Sequence, residues 1–97
     1  MSQQLETIRE NLKQLRSELG TTYHIQSMGL FGSVVRDDCT SESDIDIIVD
    51  FNAPIGMGFI ELADILENRL GKPVDLVSKK GIKASYFKAI EAEIIYV

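Results

Sequence analysis

A chain of 97 residues has room for one small domain, and a domain of that size buries only about 60–65% of the surface its unfolded chain exposes, which excludes a second core. A net charge of −5, with Lys79, Lys80, Lys83 and Lys88 as the one local concentration of basic residues, excludes the broad cationic face that direct nucleic-acid binding needs. Cys39 is the single cysteine, which excludes an internal disulfide or a cysteine metal cluster and fits a reducing cytoplasm.

The N-terminal stretch has neither a secretory core nor an apolar run near the roughly 20 residues of a membrane span, so a cytosolic protein intact from Met1 is expected. Leu5, Ile8, Leu12, Leu15 and Leu19 recur at spacings of three and four, predicting an amphipathic helix ended by Gly20. The stripe is too short for a coiled coil and is expected to pack on the domain's own sheet. "TTYHIQSMGLF" predicts a strand, Gly32 and Ser33 a sharp turn, and "SVVRD" a single helical turn. After the polar loop "DDCTSES", "DIDIIVDF" predicts a central strand buried on both faces at Ile47, Ile48 and Val49.

"NAPIGMG" reads as a loop, and Phe59, Leu62, Ala63, Leu66 and Leu70 as a second long helix stopped by Gly71 and Pro73. "VDLVS" predicts a short strand, "IKASYFKAIEAE" a further helix, and "IIYV" either its end or an edge strand. Strands and helices of this order predict an α/β domain over residues 1–97, with a small mixed sheet backed by helices.

Side chains two apart on a strand share a face, so Asp44 and Asp46 present their carboxylates together. Like charges that close repel unless solvent or a cation intervenes, and the economical explanation is Mg²⁺, which takes oxygen ligands from one or two carboxylates and a substrate's phosphates. Asp75, in "VDLV", reaches the pair if its strand is the neighbour in register, since adjacent strands lie about 4.8 Å apart. Three carboxylates could then hold one or two cations for an in-line displacement at phosphorus. Upstream, Gly32 permits close backbone approach to a ligand, Ser33 offers a hydroxyl and an amide, and Arg36, three residues on, can face phosphate or one of the acids.

Gly32 and Ser33 are followed by ten residues, Val34 to Ser43, and then Asp44, Ile45 and Asp46. This pattern resembles the signature of the DNA polymerase β-like nucleotidyltransferase superfamily, and the likeness runs the whole chain, from the N-terminal helix to the acid of "VDLV". A domain with nothing beyond this palm-like fold resembles the minimal nucleotidyltransferases, many of them antitoxins paired with a HEPN-domain toxin. The resemblance implies an enzyme that uses ATP and Mg²⁺, two ions being expected, to transfer AMP to a tyrosine of a toxin ribonuclease, with which it could form a hetero-oligomer. It implies that Gly32 and Ser33 hold the triphosphate, with Arg36 in the nucleotide site, that Asp44, Asp46 and Asp75 bind metal, and that Asp75 helps activate the acceptor hydroxyl. Where many relatives have glycine after Arg36, this chain has Asp37 and Asp38.

Three other readings compete. The protein could neutralise a toxin by contact alone, or transfer a nucleotide to a small molecule, although that activity usually calls for an added substrate domain. "GMGFIE" superficially suits a dinucleotide-binding turn, but Glu61 stands where a third glycine belongs and a second βαβ half is missing. Asp44 capping a strand and Asp46 on a solvated edge is the bland alternative for the acids. His24 and the lysines at 79, 80 and 83 read as structural or solvated residues, and Cys39 shows no sign of activation.

Overall fold

A computed structural model of the chain describes residues 3–36 and 44–97. The loop expected at "DDCTSES", with Asp37, Asp38 and Cys39, lies outside the described residues. Helix α1 (Gln3–Leu19) buries Leu5, Ile8, Leu12 and Leu15, as its spacing requires. Strand β1 (Ile25–Phe31), the single turn α2 (Ser33–Arg36), strand β2 (Ile45–Phe51), helix α3 (Gly58–Leu70), strand β3 (Val74–Ser78) and helix α4 (Ala84–Ile90) follow, and a 3₁₀ turn (Glu91–Glu93) leads into strand β4 (Ile95–Tyr96).

The sheet order is β3-β2-β1-β4, with β2 antiparallel to β1 and parallel to β3, and β4 antiparallel to β1. It is the small mixed sheet expected, with β2 internal and Ile47, Ile48 and Val49 all buried. Alternation along β2 splits the core between two faces. Ile45, Ile47, Val49 and Phe51 pack with Leu12, Leu15, Leu62 and Leu66 of α1 and α3, whereas Ile48 packs with Phe31 and Ile90 under α4. Asp46 has the parity of Ile48, so it stands on the second, thinly covered face.

Two boundaries differ from expectation. Thr21, Thr22 and Tyr23 have strand-forming side chains, yet the strand starts at Ile25. His24 adopts a left-handed φ of 53°, and the Ile25 amide donates to the Gly20 carbonyl at 2.9 Å, so the chain reverses off the end of α1 before it can extend. The expected helix over 82–93 keeps regular α form only for Ala84–Ile90, and "IIYV" takes the edge-strand alternative, with Gly29 opposite Tyr96 and Leu30 opposite Ile95. Gly71, at φ 72°, ends α3 as expected, its amide donating to the Glu67 carbonyl.

Leu12 is fully buried where α1 meets the sheet and α3. Leu12→Ala is expected to cost about 2–5 kcal/mol, a large share of a small domain's stability, and the loss is read from the urea midpoint by circular dichroism.

Candidate active site

The site forms where β1 ends, β2 begins and β3 runs alongside. Parallel pairing sets Asp46 directly beside Asp75, and Ile45 beside Val74, so the sheet register itself brings the third acid to the first pair. Asp44 sits just before β2 and is exposed, as is Asp75, whereas Asp46 is half-buried. Across the other edge of β2, Phe31 is opposite Asp46, so the turn that follows Phe31 closes over the Asp46 carboxylate.

That closure explains Gly32. Its φ is +76°, and a Cβ built on it would fall on Asp46 Oδ2, so both backbone and space demand glycine there. The Val35 and Arg36 amides donate to the Gly32 carbonyl at 3.1 and 3.2 Å, winding α2 directly out of the turn. Ser33 is the first residue of that helical turn and Arg36 the last.

Sequence reasoning missed Glu93. Its Oε1 accepts from the Gly32 amide at 3.0 Å, and both its carboxylate oxygens accept from Arg36 Nη1, at 3.2 and 3.1 Å. Arg36 is thus drawn into an ion pair beside the site, and the Gly32 amide is already engaged, which leaves Ser33 as the turn's more direct candidate for phosphate. The signal that could have found Glu93 is the edge-strand reading of "IIYV": antiparallel to β1, it carries the acid immediately before it to the Gly-Ser turn.

Burial, then the charges of Asp75 and Asp44, push the Asp46 carboxyl above its ordinary range, with Arg36 opposing and Glu93 adding to the rise. Among the described residues, no three His, Cys, Asp or Glu side chains already stand in metal-holding geometry. The donor set still fits a hard divalent cation. It is made of carboxylate oxygens whose mutual repulsion a cation relieves, and Mg²⁺ is commonly held by one or two carboxylates completed by substrate phosphates rather than by an all-protein cage.

The remaining candidates lie elsewhere. Lys79 stacks its ammonium 5.1 Å from the Phe87 ring centre, and Lys80 donates to the Phe51 carbonyl at 3.1 Å. His24 is an exposed turn residue. Surface concavities of about 430 and 440 Å³, the first lined in part by Arg16 and Asn52 and the second by Tyr23 and Glu61, contain none of the site's acids.

Residues 5–97 match the nucleotidyltransferase domain family. The chain belongs to that family. Among relatives of this nucleotidyltransferase is the protein adenylyltransferase MntA of Thermococcus cleftensis, 40% identical over 94 residues, covering 96% of this chain and 95% of the relative. Among solved structures, one assigned as a minimal nucleotidyltransferase superposes with a TM-score of 0.79 at 29% identity, covering 94% of this chain and 93% of that one. A chain of a toxin–antitoxin complex crystallised with AMP-PNP superposes with a TM-score of 0.72 at 25% identity, covering 89% of this chain and 70% of that one.

Two outcomes follow for this nucleotidyltransferase without divalent ions. A carboxyl whose folded-state pKa is raised holds its proton more tightly folded than unfolded, so its contribution to stability declines as pH rises through the unfolded value of about 3.9 toward the folded one. Asp46→Asn is therefore expected to stabilise the metal-free protein by roughly 0.2–1 kcal/mol at neutral pH, by progressively less as pH falls through the raised folded value toward about 4, and hardly at all below that, read as melting temperature against pH. Gly32→Ala is expected to destabilise by about 1–2 kcal/mol from backbone strain alone, with displacement of Asp46 in addition, measured by urea denaturation.

Proposed function

We propose that this chain is a protein adenylyltransferase acting in the cytoplasm, which transfers AMP from ATP to a tyrosine of a HEPN-domain toxin and so silences it. The observation that carries the proposal is the registered pairing of Asp46 with Asp75 beneath the Gly32–Ser33 turn, with Asp44 two residues before Asp46. It supports reading this end of the sheet as a cation platform next to a phosphate grip. The 40% identical adenylyltransferase and the toxin–antitoxin structure with AMP-PNP support the choice of nucleotide and of a protein acceptor. Residues 1–97 act in this reading as one minimal nucleotidyltransferase domain.

Ser33, at the head of α2, binds the triphosphate through its hydroxyl and amide, and Arg36 adds positive charge on the same turn. Asp44, Asp46 and Asp75 would hold Mg²⁺, two ions in all, which would neutralise the phosphates and supply electrostatic stabilisation to the displacement. The tyrosine hydroxyl oxygen attacks the α-phosphorus, forming one P–O bond as the bond to the bridging oxygen of the β-phosphate breaks, and pyrophosphate departs. Asp75, exposed at the strand edge, accepts the phenolic proton and passes it to solvent. The half-buried Asp46 is covered by the Gly32 turn.

The test is transfer of label from α-³²P-ATP to the product of the neighbouring gene, assayed as the HEPN-domain toxin, in Mg²⁺, by wild type and by the double variant Asp44→Asn, Asp46→Asn. Label on the toxin is expected to fall by roughly a thousandfold or more in the variant, and to vanish with EDTA. A double variant that neutralises the toxin fully with no label transferred would contradict the proposal in favour of inhibition by contact.

A further inference from the structure

Helix α2 is a single turn of four residues, too short to hold its own shape, and Val34 is its one buried side chain. Its orientation must come from tertiary tethers. Glu93 supplies one at each end: the amide of Gly32, just before the first residue, and the guanidinium of Arg36, the last. We propose that Glu93 is a positioning residue for nucleotide binding, its carboxylate clamping the Gly32–Ser33 turn and Arg36 in the arrangement that receives the triphosphate. This rests on the nucleotidyl-transfer reading above and adds to it a residue 61 positions from the turn it holds.

The sheet puts Glu93 there. Gly29 is opposite Tyr96 and Leu30 opposite Ile95, and continuing that register two residues toward the turn places Glu93 against Gly32. The Val97 amide, donating to the Met28 carbonyl at 2.9 Å, pins the far end of the same segment. The Glu93 side chain is 25% exposed, so its charge-assisted bonds are less screened than those of an open surface pair. β4 also needs glycine at position 29, where a Cβ would stand 2.7 Å from Ile94 Cγ2 and 3.1 Å from the Ile95 carbonyl oxygen. A side chain there shifts the segment that carries Glu93 without touching the site.

The clamp also governs where the Arg36 charge goes. That charge already reaches Asp46. Held by Glu93, Arg36 stays on the turn; released, it can fold onto the aspartates and occupy oxygens that a cation needs. Because Glu93 is itself an anion, the opposite role is conceivable on charge alone, a carboxylate blocking the phosphate, and the two roles differ in the sign of their effect.

Glu93→Ala, Glu93→Gln and Gly29→Val are compared with wild type for the dissociation constant of AMP-PNP in Mg²⁺ by calorimetry, for KM and kcat of AMP transfer to the toxin, and for melting temperature. Glu93→Ala is expected to weaken AMP-PNP binding roughly tenfold and raise KM for ATP by a similar factor, with kcat changed far less. Glu93→Gln, which keeps an oxygen for the Gly32 amide but loses the charge, falls between, and Gly29→Val follows Glu93→Ala. Should Glu93→Ala not fold, the other two carry the same comparison. Folded variants that bind AMP-PNP as wild type does overturn the clamp, and tighter binding overturns it in favour of a blocking carboxylate. If wild type binds AMP-PNP and transfers AMP, such a result removes only the role of Glu93; if wild type does neither, the transferase reading fails first and the clamp with it.

Discussion

The contact between Gly32 and Asp46 is the constraint from which the rest of the site follows. A half-buried carboxylate lies where the Cβ of any other residue at position 32 would be, and the backbone there is left-handed. The end of β1 is thereby fixed against the start of β2, Ser33 is placed at the head of α2, and Asp46 is kept in a partly dry position beside Asp75. Each consequence is unfavourable or neutral for the free protein. A raised carboxyl pKa and two aspartates side by side on neighbouring strands are what the proposed cation would relieve, while Gly32 takes its left-handed backbone without strain.

The two faces of the sheet divide the labour. One is covered by α1 and α3 and buries Leu12, Leu15, Ile47, Val49, Leu62 and Leu66, which makes it the source of stability. The other carries, among the described residues, the smaller cluster of Phe31, Ile48 and Ile90 with partly buried neighbours such as Val77 and Phe87, and the acids emerge beyond it. The two-residue period of β2 connects these roles: the same alternation that sends Ile47 and Val49 into the larger core sends Asp46 out beside Ile48 toward the face of the candidate site. A one-residue slip of β2 would exchange the two sets, so the hydrophobic core and the candidate active site depend on the same register.

Much of this was legible in the residues because it is local. Asp44 and Asp46 share a face by strand geometry alone, the stripe from Leu5 to Leu19 marks its own helix, and Gly71 its stop. Asp75 was within reach because "VDLV" is a strand, and the sheet needed only to place it next to β2. What escaped was set by distant pairing. Thr21 to Tyr23 have strand propensity, but the chain must turn through His24 to leave α1, and tertiary geometry prevailed. Glu93 was invisible because its place depends on the two-residue strand Ile95–Tyr96 lying beside Gly29 and Leu30, which no periodicity announces. The Gly-Ser turn was readable as a motif, whereas the residue that ties it down was not.

The central claim, that Asp44, Asp46 and Asp75 share a divalent cation with a nucleotide held at the Gly32–Ser33 turn, is tested most directly by paramagnetic broadening of the ¹⁵N-labelled protein. Mn²⁺ is titrated substoichiometrically in the presence of AMP-PNP. The account predicts that the amides of residues 44–46 and 74–76 broaden first, with those of Gly32 and Ser33, while those of α1 stay sharp. Broadening centred elsewhere, for example at Glu61 and Glu67 of α3, would contradict it.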